Sequence, residues 1–115
     1  MQRGQSSPRL GPVALLAEVD VGKYYERICQ AVREDRFVVS FHADERCEER
    51  AVSPWQLVAG LEDSVLVRER PRSKPNPSVI VRTPLADGME VEVIWSWLDE
   101  TQRAQLVTVY FGDEP

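Results

Sequence analysis

The only histidine of this chain stands one helical turn before an arginine and two turns before another, within the segment His42–Arg50. At about 100° per residue, His42, Arg46 and Arg50 fall within about 80° of one another on a helix. A cationic row of this kind suits a phosphate, a carboxylate or a buried acidic partner. The imidazole could exchange protons near neutral pH, which would make it a general acid or base while the arginines hold a phosphate.

The same row also has a structural interpretation. Glu45 and Glu49 stand beside it, so His42 could hydrogen-bond to Glu45 or to a backbone carbonyl. The two arginines could then form ion pairs within the fold instead of binding a ligand. The residues alone leave both interpretations open.

The elements that position this row begin with a helix from Asp20, its N-cap, to Glu34. A strand follows over Arg36–Phe41, with Phe37, Val39 and Phe41 on one side. The row itself lies on a helix over Ala43–Arg50. The apolar positions of this helix are small residues (Ala43, Cys47 and Ala51), so it should pack closely and hold the cationic side chains at the border of the contact.

A short helix is predicted next, followed only by strands. Ser53 caps this helix, Pro54 suits its first turn, and Gln56 can complete a capping box. Its apolar residues Trp55, Val58 and Leu61 are expected to face the core. Four strands are then predicted, with an Asp87-Gly88 hairpin turn between the second and the third: Val65–Arg70, Ser78–Thr83, Met89–Trp97 and Gln105–Phe111. The third strand alternates with period two and places one face mostly in the core: Met89, Val91, Val93, Trp95 and Trp97.

This order predicts a single α+β domain over residues 18–113, with helices on one face of an antiparallel sheet of four to five strands. Residues 1–17 contain Pro8, Gly11 and Pro12, and are expected to form a disordered or loosely docked tail. One domain of this size has a small hydrophobic core, and a homodimer would bury additional surface, so we expect that the chain could form one.

Composition narrows the classes of function. The chain has 115 residues and a net charge of −5, which disfavours generic nucleic-acid binding but leaves room for a local basic site. No apolar run is long enough for a membrane span. Cys29 and Cys47 are expected to be reduced, core-packed thiols of a cytoplasmic protein. One histidine and two distant cysteines offer no metal-ligand spacing, and no cofactor-binding motif is present, so neither a metal nor a cofactor is expected.

Several short motifs resemble the prokaryotic domain-of-unknown-function 4258 family. They are Phe41-His42-Ala43, Arg46, Arg50, Val52-Ser53 and the strand Val107-Thr108-Val109-Tyr110, and the resemblance covers about residues 22–112. Two family-typical positions differ. Cys47 replaces a methionine, and Ala51 replaces a glycine before the second short helix, where alanine lacks the freedom of glycine at positive φ.

This resemblance implies a fold similar to that of RelE-type toxins, in which a helical pair packs on a small antiparallel sheet. Members of that wider group include messenger-RNA endonucleases that cleave without metal. By analogy, Arg46 and Arg50 would bind phosphate, Arg82 would stabilise the transition-state charge, and His42 or Tyr110 would move the proton. Arg82 and Tyr110 each lie between apolar neighbours on a strand, where a strand-face arginine and a half-buried tyrosine would also be ordinary.

Two functions therefore remain in view. The leading hypothesis is a toxin-type RNA-binding or RNA-cleaving domain that meets RNA, the ribosome or a cognate antitoxin. The alternative is a non-catalytic protein-interaction module in which the arginines are structural or bind an acidic partner. Arginines that converge on an open concave surface would favour the first, and arginines paired with carboxylates inside the fold would favour the second.

Overall fold

The computed structural model describes residues 22–112. The predicted tail over residues 1–17, the predicted cap Asp20 and the predicted domain limits at 18 and 113 lie outside this range. The described chain forms three α-helices, one 3₁₀ turn and five strands: α1 (Lys23–Arg33), β1 (Phe37–Val39), α2 (Phe41–Glu49), α3 (Pro54–Gly60), the 3₁₀ turn Leu61–Asp63, β2 (Val65–Arg70), β3 (Ser78–Pro84), β4 (Glu90–Leu98) and β5 (Arg103–Tyr110).

The five strands form one sheet in the order β1-β5-β4-β3-β2. The four strands from β2 to β5 are a meander of antiparallel neighbours, as their short connections predict. The expectation of a purely antiparallel sheet is wrong, because β1 pairs in parallel with β5, with Val38 opposite Gln105. Two helices and the strands β2, β3 and β4 separate β1 from β5 in the sequence, so no local turn imposes an antiparallel arrangement on this pair.

The core lies between the helices and one face of the sheet. Alternate residues of β4 (Val91, Val93, Trp95 and Trp97) are buried together with alternate residues of β3, and α1 contacts β4 and β5. Trp97 is 3% exposed. The period-two pattern thus identified the buried face of the longest strand correctly from Val91 to Trp97, whereas Met89, which precedes the strand, is 49% exposed.

Local signals in the sequence also determine two connections. In the predicted capping box, Ser53 Oγ accepts a hydrogen bond from the Trp55 backbone N–H (3.2 Å) and Gln56 Oε1 accepts one from the Ser53 N–H (2.9 Å). At the predicted hairpin turn Gly88 has φ +90° and the Asp87 carboxylate accepts a hydrogen bond from the Met89 N–H (3.0 Å).

Both cysteines are free and buried, as predicted. Burial raises the pKa of the Cys47 thiol, and the nearby Asp44 carboxylate raises it further. Burial likewise raises the pKa of the Cys29 thiol. Because the thiolate is the reactive form, both side chains behave as small apolar core residues.

Candidate functional site

Helix α2 carries His42 and Arg46, Arg50 is its C-cap, and the helix begins earlier than predicted. Ser40 caps it, since its Oγ accepts a hydrogen bond from the Ala43 N–H (3.0 Å) and donates one to the Val107 carbonyl (2.8 Å). Phe41 is therefore the first residue of the helix and not the last residue of the preceding strand, as was predicted. This cap fixes the start of α2 against β5, and with it the position of the cationic row.

The two arginines of the row lie beside an aromatic ring. The guanidinium carbons of Arg46 and Arg50 are 5.9 Å and 4.9 Å from the centroid of the Phe111 ring, which is buried. Arg46 Nη1 also forms an ion pair with Glu49 Oε1 at 3.1 Å. Both arginines are half-buried, while Ala43 and Cys47 on the same helix are fully buried. Arg46 and Arg50 therefore lie at the border of the helix contact, as predicted, and join the C-terminal end of α2 to the residue after β5 through cation–π contacts. The same prediction is wrong for His42, which is exposed.

His42 stands apart from these contacts. Its side chain is exposed in the first turn of α2, and the part of the chain that the structure describes offers its ring no hydrogen-bond partner. The predicted hydrogen bond to Glu45 or to a carbonyl is absent from residues 22–112. His42 also lies outside the cleft that contains Arg82 and Tyr110.

Arg82 and Tyr110 line the same cleft. Arg82 is opposite Glu92, and Glu92 is opposite Tyr110, so the three form one row across β3, β4 and β5. They line a cleft of about 440 Å³ that also contains Glu90 and Phe111. Arg82 Nη2 lies 3.5 Å from Glu92 Oε2. Two carboxylates against one guanidinium give this cleft a net negative charge, which is unfavourable for a phosphate.

A more basic depression of about 570 Å³ lies where α1 meets the turn before β5. Lys23, Arg27 and Arg36 line it together with Glu26. Arg36 is already engaged, because its Nη2 lies 2.7 Å from Glu34 Oε1 and its Nη1 donates to the Gln102 carbonyl. None of these residues was predicted to belong to a site.

A third cleft, of about 430 Å³, contains the most exposed aromatic side chains of the described chain. Phe41 is 77% exposed and Trp55 is 66% exposed, and the Trp55 ring meets Phe37 edge-on at 5.8 Å between centroids. We call this cleft, with its lining residues, the aromatic cleft: Val39, Ser40, Phe41, Asp44, Pro54 and Trp55. No lysine or arginine is among them.

The prediction that Trp55 faces the core is wrong. The buried positions of α3 and the 3₁₀ turn are Leu57 and Leu61, spaced by four residues, and Val58 is half-buried. The predicted spacing Trp55–Val58–Leu61 treated the tryptophan as core because it is large and apolar. The signal that could have identified its exposure is the pair Leu57–Leu61, because its helical face excludes Trp55.

The family becomes clear from sequence comparison. The sequence pattern of a family described as a domain of unknown function, DUF4258, matches residues 39–111, from the end of β1 to Phe111. The chain belongs to this family, as its short motifs indicated. No curated protein matches the sequence. No helix within residues 22–112 has the length and apolar character needed to cross a membrane, and no group of three or more potential metal ligands occurs among them.

Proposed function

We propose that this domain is a non-catalytic protein-interaction module whose binding surface is the aromatic cleft. The observation that carries the proposal is the pair Phe41 and Trp55, which are 77% and 66% exposed and line one concave surface. Aromatic side chains grouped in this way are typical centres of protein interfaces. Covering the open part of Trp55 alone would remove roughly 150 Å² from water, worth about 4 kcal/mol before the costs of association.

The arginines support the same choice. Arg46 pairs with Glu49 and covers the Phe111 ring, Arg50 covers the same ring, and Arg82 lies beside Glu92. A site for phosphoryl chemistry needs guanidinium groups directed at an open position where charge develops. These contacts direct the groups at carboxylates and an aromatic face, which is the arrangement expected of structural arginines.

A peptide selection tests the proposal. The purified full chain is used to select binders from a displayed library of random peptides, and the dissociation constants of the selected peptides are then measured with variants. Trp55→Ala and Phe41→Ala should weaken binding by at least about tenfold, the effect of losing an interface hot spot. Met89→Ala is the matched control, since Met89 is an exposed apolar residue (49%) outside the cleft. Peptides whose dissociation constants are unchanged by Trp55→Ala and Phe41→Ala, or a selection that yields no binding peptide, would refute the proposal.

A second candidate is a RelE-type RNA-binding or metal-independent RNA-cleaving domain. The specific observation in its favour is that Arg82 and Tyr110 share a cleft with Phe111, the ring that Arg46 and Arg50 cover. In this function His42 or Tyr110 would transfer the proton, and RNA, the ribosome or a cognate antitoxin would be the partner.

Titration of short single-stranded RNA at two salt concentrations, with gel analysis of cleavage, tests the second candidate. This function predicts salt-sensitive binding or discrete cuts that His42→Ala and Arg50→Ala abolish. If RNA binding or cleavage is observed and Trp55→Ala leaves it unchanged, the RNA-binding or RNA-cleaving function is supported and the interaction module is refuted.

A further inference from the structure

One edge of the sheet offers unpaired backbone groups beside the aromatic cleft. Among residues 22–112, strand β1 is terminal in the sheet and pairs only with β5. The Arg36 carbonyl accepts a hydrogen bond from the Ala104 N–H (3.1 Å), and the Ser40 N–H donates one to the Leu106 carbonyl (3.0 Å). Along a strand the backbone N–H and C=O groups of successive residues point alternately toward one neighbouring strand and toward the other. The N–H and C=O groups of Phe37 and Val39 therefore point away from β5. No strand within residues 22–112 pairs with them.

The free edge and the aromatic cleft are continuous. Val39 lies on the edge and also lines the cleft, and the cleft extends from it to Phe41 and Trp55. Phe37, at the other end of β1, contacts the Trp55 ring. An extended segment that paired with β1 would therefore run directly beside the exposed aromatic side chains. Strand addition of this kind gives affinity through backbone hydrogen bonds and specificity through side-chain pockets.

The charge of this surface selects the chemistry of the occupant. Of the described residues that line the cleft, Asp44 is the one that is charged, and its carboxylate has no hydrogen-bond or ion-pair partner within residues 22–112. Phe41, Asp44 and Glu48 lie three and four positions apart on α2 and so share an exposed face of the helix. A cationic side chain would be attracted to this surface. RNA phosphates would be repelled, and so would the same acidic surface of a second copy.

On the basis of the proposed function, we infer that the occupant is an extended basic segment of a partner protein. The segment adds to the free edge of β1 and places an apolar side chain between Phe41 and Trp55. It brings a lysine or arginine to Asp44. Because β1 has three residues, a segment of about four to six residues covers the edge.

Two synthetic peptides test the inference with the full chain. One alternates valine and threonine around a central leucine and has two lysines at each end, and the other replaces the lysines with glutamates. Fluorescence anisotropy should show that the lysine peptide binds about tenfold more tightly at low salt, and added salt should reduce the difference. Asp44→Lys should reverse the preference. Glu100→Lys, the same charge change at another exposed residue, should leave it unchanged.

Two further measurements separate strand addition from simple charge attraction. Methylation of alternate backbone nitrogens in the lysine peptide should abolish binding, because it removes the donors that pair with β1. Hydrogen exchange of the Phe37 and Val39 amides should slow when the unmodified peptide is bound. If the methylated peptide binds equally well, strand addition is refuted.

The outcomes also separate this inference from the proposed function. Equal affinity of the two peptides, with loss of both in Trp55→Ala, would overturn the basic partner and leave the interaction module standing. Selected peptides that depend on Trp55, together with failure of the lysine peptide, would do the same. If the lysine peptide binds equally well to Trp55→Ala, Phe41→Ala and the parent chain, both the inference and the proposed function are overturned. A dimer in sedimentation analysis that Trp55→Ala dissociates would identify a second copy as the occupant and overturn the inference.

Discussion

Replacing Trp55 with alanine should cost much less stability than replacing Leu57, two residues further along the same helix. Trp55 is 66% exposed, so the change removes about 85 Å² of buried surface, an upper bound of about 2 kcal/mol. The edge-on contact with Phe37 accounts for part of that value. Leu57 is fully buried, and truncation of such a leucine costs about 2–5 kcal/mol because it also leaves a cavity.

Urea denaturation of the two variants and the parent chain measures this difference. We expect the free energy of unfolding to fall by about 1–2 kcal/mol for Trp55→Ala and by about 3–4 kcal/mol for Leu57→Ala, with similar m-values. Near-equal losses, or a larger loss for Trp55→Ala, would show that Trp55 is a core residue. The aromatic cleft would then not exist as an open surface, and the interaction proposal would lose its main support.

Three other changes test particular features of the fold. Ala51 has φ +56°, so Ala51→Gly should stabilise the domain by about 0.5–1 kcal/mol in urea denaturation, and a loss would refute strain at this turn. A Cβ at Gly60 would lie 2.7 Å from Thr83 Cγ2, so Gly60→Ala should lower the free energy of unfolding by about 1–3 kcal/mol. The loss should be much smaller in a Thr83→Ser background, which lacks Cγ2. Equal losses in both backgrounds would contradict the clash. Burial raises the pKa of the Cys47 thiol in the folded state, so above about pH 8.5 the unfolded chain releases the thiol proton first and the free energy of unfolding falls as pH rises. Cys47→Ala should reduce this fall in urea denaturation at several pH values. An unchanged pH profile would contradict the burial of this thiol.

The parts of the fold that the sequence predicted are those determined by neighbouring residues. The capping box at Ser53, the turn at Gly88 and the buried face of β4 each follow from spacing over a few positions. The parallel pairing of β1 with β5 joins segments far apart in the chain, and no local pattern encodes such a partner. For the same reason the border position of Arg46 on α2 was predictable, whereas its contact with Phe111 was not.

The aromatic cleft was missed for two physical reasons. Hydrophobic periodicity assigns a tryptophan to the core by default, although an exposed aromatic residue has the same sequence signal. The strand before α2 was also predicted to end two residues later than it does, which placed Phe41 on the same side of a strand as Phe37 and Val39. A binding surface made of apolar residues resembles a core in a sequence, and only the fold shows which of them lack a covering element.

The most direct test of the central claim is a map of backbone amide chemical shifts on the isotopically labelled full chain, recorded with the lysine peptide and then with short single-stranded RNA. An interaction module with a basic partner predicts that the peptide shifts the amides of β1, Phe41, Asp44 and Trp55, and that RNA shifts none of them. Shifts confined to Arg82, Tyr110 and the end of α2 upon addition of RNA, with none from the peptide, would contradict the interaction module and assign the domain to RNA binding.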